Sequence, residues 1–330
     1  AGRGVAVTGV TKATLGSPEV ARELVRAGVA GLGDSRIENL EALRAAGLTA
    51  PMTLIRSPMV SQVDRVVAGA EVSLNTELEV IERLSAAAQA QGRPHGVVLM
   101  VELGDLREGI LPADVEAVAR RTLGLPGIVL RGIGTNLACQ SGVAPDERNM
   151  AELSALATSL EATFGITLEV VSGGNSANLD WAFGAPDVGR VNDLRLGESI
   201  LLGCEPLHRR PIEGLHTDAF TMVAEVIESK AKPTLAWGER NQTAFGHRPP
   251  DTDRGTTSRV ILAVGRQDVD PDGLVAPDGM TILGASSDHL VLDAGTSGPA
   301  VGSEVRFAVN YAALLAAMTS PFVTRTFTTG

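Results

Sequence analysis

Eight short apolar runs, separated by amphipathic helix patterns, occupy this chain from Val5 to Leu194. The runs are Val5–Val10, Val29–Gly33, Met52–Ile55, Glu71–Leu74, Val97–Leu103, Ile128–Ile133, Leu168–Ser172 and Val188–Leu194. Between them lie helix patterns over Pro18–Ala27, Ile37–Ala46, Ser61–Ala68, Glu77–Gln91, Ala113–Leu123, Asp146–Phe164 and Ala177–Ala182. Strand-length apolar segments alternating with helical ones predict βα units on a parallel sheet. Eight of them predict a closed (β/α)8 barrel. Ser17-Pro18 and Leu111-Pro112 each place proline in a first helical turn, where its missing N–H does no harm.

Past Arg210-Pro211 the rhythm changes. Phe220–Ile227, Val260–Val264, Met280–Leu283, Leu290–Leu292 and Val305–Val309 are separated by Gly, Pro and Asp turns, with little helical periodicity. The expected organisation is therefore α/β: a βα barrel over residues 1–210, then a mostly β domain over residues 211–330. A chain of 330 residues that is 44% hydrophobic can bury one large core and a smaller second one. Gly238–Gly255, rich in Pro, Arg and Asp, reads as a long loop.

The formal net charge of -11 argues against a nucleic-acid partner held through its phosphates. Cys139 and Cys204 form no disulfide framework, and no apolar run approaches the roughly 20 residues of a membrane span. A cytoplasmic protein with no membrane partner is the expectation. Cys139 itself reads as a small buried apolar residue.

Chemistry is expected at the C-terminal ends of barrel strands. Lys12, one of only three lysines, ends the first apolar run. Its expected special use is a Schiff base with an aldehyde cofactor; Lys230 and Lys232 read as solvated surface charges. Val170 to Asn178 reads as strand, glycine turn and helix start, offering free backbone N–H groups and the Ser176 hydroxyl, which suits a phosphate. A second glycine turn follows in Arg195-Leu196-Gly197-Glu198 at the end of the eighth run. The loops after strands seven and eight are where such barrels commonly hold phosphate.

The runs Val10-Thr11-Lys12, Gly33 to Asn39, Gly132 to Cys139, Gly173 to Ser176 and Gly284 to His289 together resemble the ornithine racemase branch of the alanine racemase superfamily. The resemblance covers nearly the whole chain. It implies a pyridoxal 5'-phosphate (PLP) barrel, a C-terminal β domain, and a head-to-tail homodimer in which the partner's β domain completes each site. It implies that Lys12 binds the cofactor and serves as one of two bases at the substrate α-carbon. Gly197 and Glu198, through their backbone, and Ser176 would hold the phosphate. Arg195 would face the pyridine nitrogen with Asn136 beside it, and Arg107 and Ser287 would meet the substrate. A guanidinium does not readily give up its proton, so it leaves the ring a weaker electron sink and favours quick reprotonation. Ser35, Arg36 and Asn39 are expected near the cofactor.

The chain departs from that family in its second base. Relatives use a partner tyrosine, whereas here the single tyrosine is Tyr311 and the corresponding region reads Ala244-Phe245-Gly246-His247. Asp288 and His289 are the candidates for the missing base, with His247 and Asp268 behind them. Relatives also carry a strand and helix before the lysine strand, so either residues precede this sequence or the barrel closes differently. The tyrosine that meets the phosphate in relatives is replaced by Ala13-Thr14-Leu15-Gly16.

The leading functional reading is a PLP-dependent racemase of a free amino acid, with ornithine or another basic amino acid in view. Two others stand beside it: a non-catalytic PLP carrier, against which the second domain counts, and a PLP lyase or aldolase, which would need a metal cluster that the sequence does not display. For a cationic substrate side chain, Asp105, Glu108, Asp268 and Asp288 are available carboxylates.

Overall fold

A computed structural model describes residues 2–243, 245–246 and 252–328. The chain separates into two compact units, Ala1–Leu215 and His216–Gly330.

The first unit contains β1 (Ala6–Val10), α1 (Pro18–Arg26), β2 (Gly31–Asp34), α2 (Ile37–Ala45), β3 (Met52–Leu54), α3 (Val63–Gly69), β4 (Val72–Asn75) and α4 (Leu78–Gln91). It continues with β5 (His95–Val101), α5 (Val115–Leu123), β6 (Ile128–Thr135), α6 (Glu147–Phe164), β7 (Val170–Ser172), α7 (Leu179–Gly184), β8 (Asp193–Leu196) and α8 (Glu198–Leu202). The strands pair in chain order into a closed barrel. All neighbours are parallel, and closure is direct: β1 pairs with β8 from Ala6 opposite Asp193 to Gly9 opposite Leu196.

Two-residue alternation along each strand sorts the side chains. One set faces the helices: Leu32, Met52 and Leu54 pack on Ile37, Leu40, Leu43, Val66 and Val67. Val97, Leu99, Val101 and Ile133 do the same against Ile81, Val115, Ala119 and Leu153. The other set fills the barrel interior, where Leu74, Val98 and Met100 cluster with Ile55, Val72 and Val170. Burying each such side chain stabilises the fold by about 1.5–3 kcal/mol. Toward β1, β7 and β8 the interior is polar instead, lined by Thr8, Ser172, Asp193 and Arg195.

The eighth strand differs from expectation: it begins at Asp193, well after Val188. Gly189 is left-handed at φ 59 and Ser154 Oγ accepts the Arg190 N–H at 3.1 Å, so Val188–Val191 is a turn. Val188 and Val191 are apolar because that turn packs into the core, not because it is extended.

The second unit is a six-stranded antiparallel sheet in the order β11-β14-β9-β10-β13-β12. Its strands are β9 (Thr221–Pro233), β10 (Thr256–Leu262), β11 (Leu274–Val275), β12 (Thr281–Ala285), β13 (Leu290–Asp293) and β14 (Glu304–Val309). Met222, Ala224 and Val226 alternate inward on β9 and meet Val260, Leu262, Leu290, Leu292, Val305 and Phe307. The unit also holds a helix that the sequence did not announce, α9 (Tyr311–Thr319), which packs Ala313 and Ala317 into the same core. Its residues are almost uniformly apolar, so no 3.6-residue polar stripe marks it. Lys230 and Lys232 both pair with Glu228. Among the described residues, no helix is long and apolar enough to cross a membrane.

Candidate active site

Lys12 opens a short 3-10 turn, Lys12–Thr14, directly beyond β1. The turn ends at Leu15, whose backbone is left-handed at φ 51. Behind the lysine, the buried Thr11 hydroxyl donates to Asp34 Oδ2 at 2.7 Å, and Asp34 Oδ1 accepts from the Arg36 N–H at 2.9 Å and Asn39 Nδ2 at 3.0 Å. Asn39 and the Arg36 backbone thus serve as a brace for Asp34. Burial lowers the Lys12 ammonium from its ordinary value; Arg107 and Arg195 push it the same way, while Cys139 and Asp34 oppose them.

Arg195 lies inside the barrel and is 5% exposed. Its guanidinium donates to the Ser172 hydroxyl, to the Thr135 carbonyl at 2.8 Å and to Asn136 Oδ1 at 3.3 Å. Ser172 in turn donates to Asp193, whose other carboxylate oxygen accepts from Thr8 Oγ1 at 2.7 Å. One buried cation is therefore matched by one half-buried anion through a shared hydroxyl.

Ser176 Oγ gathers the start of α8. It accepts from the Gly197 N–H at 3.4 Å and the Ser199 N–H at 3.1 Å, and lies 3.0 Å from the Ser199 hydroxyl. The Glu198 N–H, first in the helix, has no acceptor within it. The Glu198 carboxylate is paired with Arg209, so only its backbone is offered to a ligand.

Two loops flank this arrangement, and one buried carboxylate joins them. Asp105, 1% exposed, accepts the backbone N–H groups of Cys139 at 3.1 Å, Gln140 at 2.9 Å and Ser141 at 3.0 Å. It is thereby committed to the chain itself and is not available to a cationic substrate. Burial alone would raise its carboxyl, but those N–H donors hold it below the ordinary value. Two residues on, Arg107 Nε pairs with Glu108 at 2.6 Å. Arg107 lies within charge range of both Lys12 and Arg195, and Glu108 within range of Arg195.

Cys139 is exposed rather than a buried apolar residue. Its sulfur accepts from Asn136 Nδ2 at 3.1 Å and Asn175 Nδ2 at 3.5 Å, and a negative charge there would act on both Lys12 and Arg195. Leu106 at φ 54 precedes Arg107, and Ala138 at φ 63 precedes Cys139. Non-glycine residues rarely adopt this backbone, and when they do it is often at functional sites. The sequence displays no such strain, which is why it offers Asp105 as a substrate carboxylate and Cys139 as a core residue and gives Asn175 no role of its own.

In the second unit, Ser287, Asp288 and His289 form an exposed turn between β12 and β13, in which the Ser286 N–H donates to the His289 carbonyl at 2.9 Å. Asp288 accepts from Gln267 Nε2. Asp268 is taken up within the unit by the Gly265 N–H at 3.1 Å and Ser320 at 3.2 Å. Phe245 lies under the Arg266 guanidinium, 5.0 Å from it. His247 lies outside the described residues.

Residues 1–206 match the family model for the alanine racemase N-terminal domain. The chain is 38% identical over 328 residues to a lysine racemase of Thermotoga maritima, covering 98% of this chain and 92% of that protein. It is 37% identical over 318 residues to an ornithine racemase of Acetoanaerobium sticklandii, covering 95% and 90%. The fold superposes on an alanine racemase of Clostridium difficile with a TM-score of 0.71 at 18% identity, covering 94% of this chain and 86% of that one. The chain therefore belongs to the alanine racemase family, in the branch that holds the ornithine and lysine racemases.

Proposed function

We propose that this chain is a PLP-dependent racemase of a free basic amino acid. The observation that carries the reading is that Lys12, in the turn just beyond β1, and the buried Arg195 guanidinium lie on adjoining strands of the barrel, where the register sets Thr8 opposite Arg195. The residues present suit the cofactor: a half-buried amine, a fixed interior cation, and a hydroxyl that accepts N–H groups at the start of a helix. Lys12 Nζ, Arg195 with Asn136, Ser176 and the Gly197 and Glu198 backbone would hold it. When bound, PLP makes an amino acid's α-proton removable by delocalising the electron pair left behind.

Burial keeps a larger share of Lys12 neutral than an exposed lysine would have, which suits Nζ to take a proton. Arg195, tied to Ser172, Thr135 and Asn136, keeps a fixed position and its proton. Arg107 would bind a substrate carboxylate, exchanging Glu108, its partner here, for it. A basic substrate is supported by the lysine and ornithine racemases among the relatives. A homodimer in which the Ser287–His289 turn of a second copy covers the site accompanies this reading.

The test is incubation of the PLP-loaded protein with single L-amino acids in deuterated water. The expected result is α-deuterium together with D-enantiomer, strongest for ornithine or lysine. Deuterium without inversion on any substrate would overturn racemisation, and no exchange at all would favour the carrier reading.

A further inference from the structure

The buried Arg195 guanidinium ends a chain of hydrogen bonds in which one member, Asp193, has no part in holding the cofactor itself. We infer that Asp193, acting through the Ser172 hydroxyl, is the positioning residue that keeps Arg195 fixed toward the cofactor ring nitrogen. The assignment rests on the cofactor placement in the reading above and adds what holds its interior cation still.

Strand register brings the groups together. Thr8 on β1 stands opposite Arg195 on β8, and Ser172 on β7 stands opposite Asp193. A guanidinium can only donate, so the Ser172 oxygen accepts from Arg195 and its single hydrogen goes to Asp193. The other Asp193 oxygen accepts from Thr8 Oγ1 at 2.7 Å. Each link therefore has one possible direction, and the chain cannot reverse. At its far end the guanidinium donates to the Thr135 carbonyl, on β6, at 2.8 Å and to Asn136 Oδ1 at 3.3 Å.

A carboxylate that served only to neutralise the cation would be expected to pair with it directly. Glu161 does so elsewhere in this unit, closing the Arg190 fork with both oxygens at 2.7 and 2.8 Å. Asp193 instead meets Arg195 through a hydroxyl that is 1% exposed. The N–H groups not directed at Ser172, Thr135 and Asn136 are thereby left for a ligand. Ordering a long side chain costs rotamer entropy, and here the order is imposed by the barrel before any ligand arrives.

The experiment loads the parent chain, Asp193→Asn and Ser172→Ala with PLP isotopically labelled at the ring nitrogen. Asp193→Asn keeps the shape and removes the charge, whereas Ser172→Ala removes the bridge and keeps the charge. Both should move the ring-nitrogen NMR resonance of the bound cofactor in the same direction. The phosphorus resonance, which reports on Ser176 and the start of α8, should stay where it is. With L-ornithine both variants should lower kcat by about 10- to 100-fold, the range seen when the outer partners of a site's ligating side chains are removed. KM should change by less than about threefold, as for a loss felt at the reaction and not in substrate binding.

Unmoved ring-nitrogen resonances in both variants would overturn the assignment and make Asp193 a stabilising counter-ion alone, whatever the loss of activity. A shift in Asp193→Asn without one in Ser172→Ala would also overturn it, because the carboxylate would then act at a distance and not through the hydroxyl. So would a loss carried by KM, which would move the role to substrate binding. If the parent gives the resonance of free PLP, the cofactor placement fails and the assignment falls with it. Resonances that move as expected in a protein that turns over no amino acid would support the positioning and overturn racemisation alone.

Discussion

Asp193 and Arg195, two residues apart on β8, point into the same barrel interior and are joined through one hydroxyl, that of Ser172. The guanidinium is buried and the carboxylate half-buried, and among the neighbouring charges Asp193 does most to favour the buried cation. Removing the anion strands the cation. Asp193→Ala is expected to cost about 3–5 kcal/mol in urea unfolding, the range for an orphaned buried charge. Ser172→Ala should cost less, and a midpoint equal to that of the parent for Asp193→Ala would show that the guanidinium is balanced elsewhere.

Lys12→Ala should abolish the borohydride-reducible adduct with PLP while leaving the fold intact by circular dichroism. Persistence of the adduct would place the linkage on Lys230 or Lys232, which are both held by Glu228.

Arg107 lowers the Lys12 ammonium, so taking away its charge should favour the protonated amine. In Arg107→Gln the pH midpoint for adduct formation is expected to move upward, and a downward or absent shift would separate the two side chains. The same variant should raise KM for the amino acid more than it lowers kcat, if the proposed contact of Arg107 to the substrate carboxylate is what it removes.

His95 is fully buried, its Nε2 lies 2.8 Å from Ser73 Oγ, and burial lowers it from 6.5 to about 4, with the Ala70 carbonyl raising and Arg93 lowering it further. Its folded value lies below its unfolded one, so the unfolded chain binds more protons between those limits. Stability is complete above pH 6.5 and should fall by about 3 kcal/mol as the pH drops toward 4. His95→Gln should flatten that part of the stability profile; an unaltered slope would assign it to other groups.

Asp105 works in the opposite sense. Its carboxyl is held below the ordinary 3.8, so the stability it supplies is present above that pH and lost as the pH falls through the lowered value. Asp105→Ala leaves three backbone N–H groups without their acceptor and should cost about 1.5–3 kcal/mol. Racemisation should fall further than stability explains, since Arg107 depends on this carboxylate for position. Equal losses in the two would make Asp105 a purely structural brace.

Much of the fold was legible because hydrophobic period and proline position are local signals. α1 begins at Pro18 with the Ser17 hydroxyl accepting the Val20 N–H, as the dipeptide implied. The eighth strand was misplaced because Val188 and Val191 are apolar for packing, and α9 was missed because Tyr311–Met318 has no polar face. At the site, Lys12, Ser176 and Gly197 were expected from their strand ends, and Asn136 and Arg195 from the family resemblance; the structure joins those last two by a hydrogen bond. The settings of Asp105 and Cys139 were not legible: a carboxylate spent on backbone N–H groups 34 to 36 residues away reads in sequence like any surface acid. A cysteine carries no mark of whether a loop presents it or buries it.

The direct pairing of β1 with β8 ties the site to the order in which the protein is made. Ala6 and Asp193, about 190 residues apart, are neighbours in the closed barrel, and the loop between them must close before either gains the contact. Lys12 leaves the ribosome well before Arg195, yet the two strands that carry them to one end of the barrel can pair only after β8 has been synthesised. A truncated or stalled chain can hold several βα units and still present an ordinary lysine.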